Sequence, residues 1–140
     1  MEIDITCDCS AVDWHTVSET LKRVGMTYNK PAVHRKAFEA SHTTVFAYHA
    51  DQLIGFGRAI SDGVYQGAIY DVAVIPEFQR KGIGTIIMKN ILERLSGYNV
   101  ILYASPGKED FYRKLNFRKM KTGMALFRNP AEMKERGFTE

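Results

Sequence analysis

The chain has 140 residues, 45% of them apolar and 25% charged, which suits one globular domain with a real core and is too short for two. Its net charge of +3 would serve a polyanionic small ligand but is too small to argue for nucleic acid. No apolar run reaches membrane-spanning length, and Met1-Glu2-Ile3-Asp4 lacks the basic-then-apolar order of a signal peptide, so a cytoplasmic protein without a membrane partner is expected.

Ile3 to Cys7 reads as a short first strand. Cys7 and Cys9 are the only cysteines. A structural zinc site needs four ligands, so no metal is expected and the thiols read as inert. Ser10 stands where an N-cap would, with Asp13 at capping-box distance. Val12, Val17, Leu21 and Val24 then form a helical stripe that Gly25 ends. Trp14 reads as an aromatic anchor. Pro31 suits the first turn of a second helix that ends near Ser41.

Thr44–His49 and Leu53–Ile60 read as two strands of a hairpin turned at Ala50-Asp51-Gln52. Ser61-Asp62-Gly63 opens a loop, and a strand follows from Ala68 to Ile75. The third helix is the clearest element. Ile83, Ile86, Ile87, Ile91, Leu92 and Leu95 mark one face, and Gly97 stops it. Asn99–Ala104 reads as a buried strand, Lys108–Leu115 as a short helix, and Met120–Phe127 as a closing strand. The polar tail after Arg128 is expected to be loosely ordered. Mixed strands and helices with one strand-loop-helix-strand crossover predict an α+β fold with that crossover parallel.

The stretch from Tyr70 to Gly84 carries the chemistry. An apolar strand runs through Val72, Ala73 and Val74 to Pro76, and Gln79-Arg80-Lys81-Gly82-Ile83-Gly84 then opens a helix. Free backbone N–H groups at a helix N-terminus, unshielded at Gly82 and Gly84 and flanked by Arg80 and Lys81, suit a phosphate or pyrophosphate. The dinucleotide fingerprint fails because Ile87 stands where its third glycine belongs. The Walker loop fails because Thr85-Ile86 follows Gly84.

Gln79-x-x-Gly82-x-Gly84 after Val74-x-Pro76 resembles the acetyl-CoA signature of the GNAT N-acetyltransferases. Phe111-Tyr112-Arg113-Lys114-Leu115-Asn116-Phe117 is similar to that family's later F-Y-x-x-x-G-F segment. Leu53–Arg58 and Gly123-Met124 also stand in familiar places. Within the family the chain most resembles small bacterial members related to plant serotonin-type acetyltransferases.

The resemblance implies a single domain over residues 1–140, with a mixed, mostly antiparallel central sheet flanked by helices. It implies acetyl-CoA as cosubstrate and direct transfer, in a ternary complex, to a primary amine of a small molecule, either an arylalkylamine or a polyamine-like compound. It also implies a homodimer. On this pattern, backbone groups of Val72, Ala73 and Val74, on a bulged strand, hold the pantetheine arm. Gln79, Arg80, Lys81, Gly82, Ile83, Gly84 and Thr85 hold the pyrophosphate, and Phe111 and Tyr112 complete the cofactor site. Tyr112 is the expected proton donor to the leaving thiolate, because a phenol stays protonated at neutral pH.

The base is less defined. Ala68 and Tyr70 occupy positions where family members carry Glu or His. Asp71 is the strand's only carboxylate, and it faces away from Tyr70 unless a bulge re-aims it. Both a structural and a catalytic Asp71 fit, with Tyr70 or Asp71 as a wall for an ordered water. His15, His34, His42 and His49 read as surface or packing residues. Asn116 replaces the family's glycine where a left-handed residue belongs, and asparagine tolerates that conformation best after glycine. The first two helices, the Ser61–Gln66 loop and the segment near Met124 are expected to shape the acceptor pocket. Trp14, Met26, Tyr28, Phe38, Tyr65 and Tyr70 would supply its apolar surface, and Asp62 or Asp71 would attract the amine. The missing strand base leaves a second class open, a catalytically silent acetyl-CoA-binding sensor or interaction module.

Overall fold

The structure, a computed structural model, describes residues 1–140. It divides into two compact units, Met1–Leu102 and Tyr103–Glu140.

The first unit is built on a five-stranded sheet in the order β1 (Asp4–Thr6), β2 (Thr43–His49), β3 (Gln52–Ser61), β4 (Gln66–Val74) and β5 (Asn99–Ile101). The first four strands are antiparallel neighbours, and β4 pairs with β5 in parallel. Helix α1 (Trp14–Arg23) and helix α2 (Pro31–Glu39) lie between β1 and β2, and α3 (Ile83–Arg94) joins β4 to β5. This is the predicted mixed, mostly antiparallel α+β architecture. The β2–β3 turn is tight because Ala50 and Asp51 both adopt positive φ, 47° and 64°, the signature of a two-residue hairpin turn.

Two apolar layers hold the unit. On one face, Val17 and Leu21 of α1 and Phe38 of α2 bury against Phe46, Leu53, Phe56 and Ala73. Trp14 packs here, its ring 5.5 Å from that of Phe38 and 6.0 Å from that of Phe46. On the other face, α3 buries Ile83, Ile87, Met88 and Ile91. Gly55 and Gly57 permit its close approach. A Cβ at Gly57 would lie 2.9 Å from Ile91 Cδ1 and 3.0 Å from Val72 Cγ2, inside van der Waals contact.

Several boundaries differ from the sequence reading. The cap of α1 is Asp13, whose carboxylate accepts from the His15 and Thr16 N–H groups, while Ser10 bonds Asp8 instead. A carboxylate beside the positive end of a helix outcompetes a more distant hydroxyl. The strand expected over Asn99–Ala104 stops at Ile101, and its end residues are exposed rather than buried, because β4 pairs with it at three positions only.

The second unit holds α4 (Glu109–Arg113) and α5 (Pro130–Glu135). The expected strand Met120–Phe127 does not form. A strand needs a ladder partner, none pairs with it, and Met124 and Leu126 stand 96% and 98% exposed. The tail after Arg128 gains order as α5, which buries Met133. Tyr103 meets Phe127 at 5.6 Å and Phe138 at 5.9 Å, edge to face. Asn116 adopts φ +72°, the left-handed turn its sequence position suggested.

Candidate active site

The centre of β4 is distorted. Phe56 pairs with Ala73 and Arg58 with Tyr70, so Asp71 and Val72 together oppose the single residue Gly57. This is a β-bulge, and Asp71 takes φ +57° within it. Alternation across the extra residue changes hand. Val72 turns to the α3 face, where its Cγ2 crowds Gly57, and Asp71 joins Tyr70 and Arg58 on the opposite face.

A second break lies on the other edge of β4. Its ladder with β5 covers only Gln66–Asn99, Gly67–Val100 and Ala68–Ile101. From Ile69 to Val74 no strand pairs with this edge. Strand backbone without a ladder offers its N–H and C=O groups to another extended chain.

The open edge leads directly into the loop. After a single turn at Pro76–Phe78, Arg80 and Gly82 adopt φ +62° and +82°, which curls the backbone toward the start of α3. Gly82 is the N-cap of α3, and no side chain caps that helix. The space where a Cβ of Gly82 would point holds no atom within 4 Å. Arg80 and Lys81 are exposed, and the Lys81 ammonium lies 5.7 Å from the Phe78 ring centre. Gln79, itself exposed, folds back along the strand, its Nε2 donating to the Val74 carbonyl at 2.9 Å, so its side chain braces strand against loop. An uncapped helix N-terminus, a bare glycine and two exposed cations fit a pyrophosphate. The open edge fits an amide-bearing arm such as pantetheine, so the donor set matches acetyl-CoA.

Around the bulge, on the α2 face, lies a charged cluster that composition alone conceals. Arg58 Nε donates to Asp71 Oδ2 at 2.8 Å, with both side chains largely buried, and Arg58 Nη1 reaches Ser41 Oγ at 3.3 Å. The guanidinium lies 5.7 Å from the Phe38 ring centre and 5.4 Å from that of Tyr70. Arg58 had no role in the sequence reading. The available signal was its place on the face of Phe56 in an apolar strand, since a charge there needs a partner. Asp71 is the only carboxylate on the adjacent strand.

His34, 4% exposed, accepts the Asn29 N–H at Nε2, 2.8 Å away. Its lone pair is therefore committed. Burial pushes its imidazole below the ordinary range, with the Asp71 carboxylate pulling the other way. His42 bonds Thr43, and His49 bonds the Glu2 carbonyl. Asp62 folds back on its own turn, Oδ1 accepting from the N–H groups of Val64, Tyr65 and Gln66. These bonds hold its carboxyl below the usual carboxylate range.

Beyond Tyr70 the same sheet face is apolar. Ile60, Ala68 and Ile101 stand side by side in register across β3, β4 and β5, with Ile60 and Ile101 about half exposed. Trp14 and Phe38, counted among candidate pocket residues, instead belong to the core. Tyr28 sits at the surface with the Lys22 ammonium 5.6 Å from its ring centre. A groove of about 380 Å³ between α1 and the β2–β3 hairpin contains none of the predicted site residues.

In the second unit, Tyr112 on α4 is flanked edge to face by Phe111 at 5.0 Å and Phe117 at 6.0 Å. Burial raises its phenol above the ordinary 10, which keeps the proton on the oxygen throughout the physiological range.

A family profile described as acetyltransferase (GNAT) domain matches residues 13–125. Serotonin N-acetyltransferase 2, chloroplastic, of Oryza sativa is 32% identical over 86% of this chain and 65% of its own length. An uncharacterized N-acetyltransferase of Gracilaria tenuistipitata is 34% identical over 78% of this chain and 57% of its own. The chain thus spans about three fifths of the length of these curated relatives. Among solved structures, a probable acetyltransferase of Staphylococcus aureus superposes with a TM-score of 0.80 at 25% identity, covering 90% of this chain and 99% of that one. A GNAT family protein of Streptococcus pneumoniae superposes with a TM-score of 0.76 at 27% identity, covering 90% and 98%.

Proposed function

We propose, from the premise that this chain belongs to the GNAT acetyltransferase family, that it is an N-acetyltransferase moving the acetyl group of acetyl-CoA directly to the primary amine of a small molecule. The observation that carries this reading is the bulged, unpaired edge of β4 running into the uncapped N-terminus of α3. One continuous backbone track thereby offers amide groups and then an anion site. Acetyl-CoA supplies an activated acyl group there.

In this reading the backbone of Val72, Ala73 and Val74 aligns the extended arm. The N–H groups of Gly82, Ile83, Gly84 and Thr85, with the charges of Arg80 and Lys81, hold the pyrophosphate, and Gln79 braces the loop from behind. Phe111 packs beside Tyr112, which donates its proton to the departing thiolate. Its raised phenol pKa keeps that proton available. Tyr70 walls the amine's approach. Asp71 acts through its pairing with Arg58 rather than as a free base, and solvent takes the amine proton. Both units then work as a single acetyltransferase domain over residues 1–140, in the cytoplasm and as a homodimer.

Of the two acceptor classes, the arylalkylamine is the better supported. Ile60, Ala68, Tyr70 and Ile101 present an apolar row. Asp62 and Asp71, the carboxylates that would hold a polyamine's second charge, are committed to backbone N–H groups and to Arg58.

The test is thiol release from acetyl-CoA across a panel of aryl-alkylamines and polyamines. Turnover should favour the aromatic amines and rise with pH toward the amine's own pKa without a break between pH 5 and 8. Such a break would place a side-chain base in the mechanism. The commitment of Asp71 to Arg58 also suits the second reading, a silent acetyl-CoA sensor. Tight acetyl-CoA binding without turnover on any amine would select it.

A further inference from the structure

Asp71 is the one residue of β4 in a left-handed conformation, and it carries the bulge. For an L-residue with a Cβ this conformation costs roughly 1–2 kcal/mol against the regular strand, and aspartate visits it more readily than most. Something must hold it against relaxation into an unbulged ladder. Arg58, opposite Tyr70 on the neighbouring strand, is placed to do so. Its Nε takes the Asp71 carboxylate at 2.8 Å, and its Nη1 is anchored to Ser41 Oγ at 3.3 Å. Ser41 Oγ in turn donates to the Ala37 carbonyl at 2.7 Å. The flanking rings of Phe38 and Tyr70 restrict the guanidinium further.

Largely buried ion pairs contribute little net stability compared with apolar replacements, so such a pair is better read as fixing a geometry. What it fixes here is the extra residue that re-aims the backbone at the open edge of β4. We propose that Arg58 and Asp71 form a latch. The pair locks the β4 bulge, and through it the backbone groups of residues 71–73, making both residues positioning residues for acyl transfer. The proposal rests on the acetyltransferase reading for its kinetic consequence, though not for its structural one.

Glycine at position 71 separates a latch from a base. It lacks the carboxylate but takes φ +57° without strain, whereas alanine lacks the carboxylate and resists that φ. Both are compared in an Arg58→Met background, so that neither leaves a buried guanidinium unpaired. We expect the Arg58→Met/Asp71→Gly protein to keep kcat within about tenfold of wild type. The Arg58→Met/Asp71→Ala protein should fall a further 5–30-fold, the equivalent of the left-handed penalty. Acetyl-CoA affinity, measured by calorimetry, should stay within about threefold of wild type in the glycine protein and weaken further in the alanine protein, because the released bulge carries the backbone that holds the pantetheine arm while the phosphate loop is untouched.

Equal kcat losses for the glycine and alanine proteins would overturn the latch and point to Asp71 as a base. A second readout needs no turnover. The intraresidue HN–Hα NOE of residue 71, which strengthens markedly at positive φ, should be strong in the wild type and weak in the Arg58→Met protein, where Asp71 is kept and only its partner is lost. Retention of positive φ in that protein would overturn the latch even if no amine proved to be a substrate. Loss of positive φ without activity on any amine would sustain the latch while the acetyltransferase reading fails.

Discussion

Gly82 offers the most direct test of the anion site. Its φ of +82° excludes most side chains, but asparagine and aspartate tolerate left-handed backbone. No atom lies within 4 Å of where a Cβ would sit, so neither side chain meets the protein. Gly82→Asn and Gly82→Asp should therefore fold alike, each destabilised by about 1 kcal/mol. They have nearly the same shape and differ by one negative charge at the mouth of α3. A carboxylate about 4 Å from a phosphate charge is repelled by about 1 kcal/mol in bulk water and about 4 kcal/mol at the effective dielectric of a protein surface. The Gly82→Asp protein should bind acetyl-CoA roughly 5- to 700-fold more weakly than the Gly82→Asn protein. The gap should narrow as salt rises, because the interaction is screened. Calorimetric titration of both folded variants at low and high salt measures this. Equal affinities at low salt would show that the pyrophosphate does not sit at this loop.

Three further outcomes follow from the geometry. Tyr112→Phe should lower the maximal rate by roughly 10²–10⁴ with little change in acetyl-CoA affinity; a rate within a few-fold of wild type, with chemistry rate-limiting, would remove the phenol from the mechanism. Gly57→Ala should lower stability by about 1–3 kcal/mol by overpacking, because its Cβ would press on Ile91, Val72 and Ile87 side chains; calorimetric melting checks this, and an unchanged midpoint would mean that α3 is less tightly seated. His34 has a folded-state pKa lowered from 6.5, mainly by burial. The unfolded chain therefore binds the proton first, and stability present above about pH 6.5 is lost as pH falls toward the folded pKa. Urea midpoints at pH 7 and 5 should fall further for wild type than for His34→Gln, which still accepts from Asn29 and cannot charge. Parallel losses would exonerate His34.

The features legible in the chain before folding are those that depend on local chemistry. The period of isoleucines over residues 83–95 specifies α3, and glycines 25 and 97 stop helices because they reach positive φ cheaply. The hairpin and the Gln79–Gly84 loop are likewise set by a few adjacent residues, and so is Asn116, whose side chain tolerates the turn it occupies. Tertiary structure decided everything that needs a partner distant in sequence. Asp71 could be read as base or brace until the bulge turned it toward Arg58, 13 residues earlier on another strand. Residues 120–127 read as a closing strand and form none, because strand character states only that a segment could join a sheet. The ladder itself is a bond between two chains of backbone, and one segment's sequence carries only half of it.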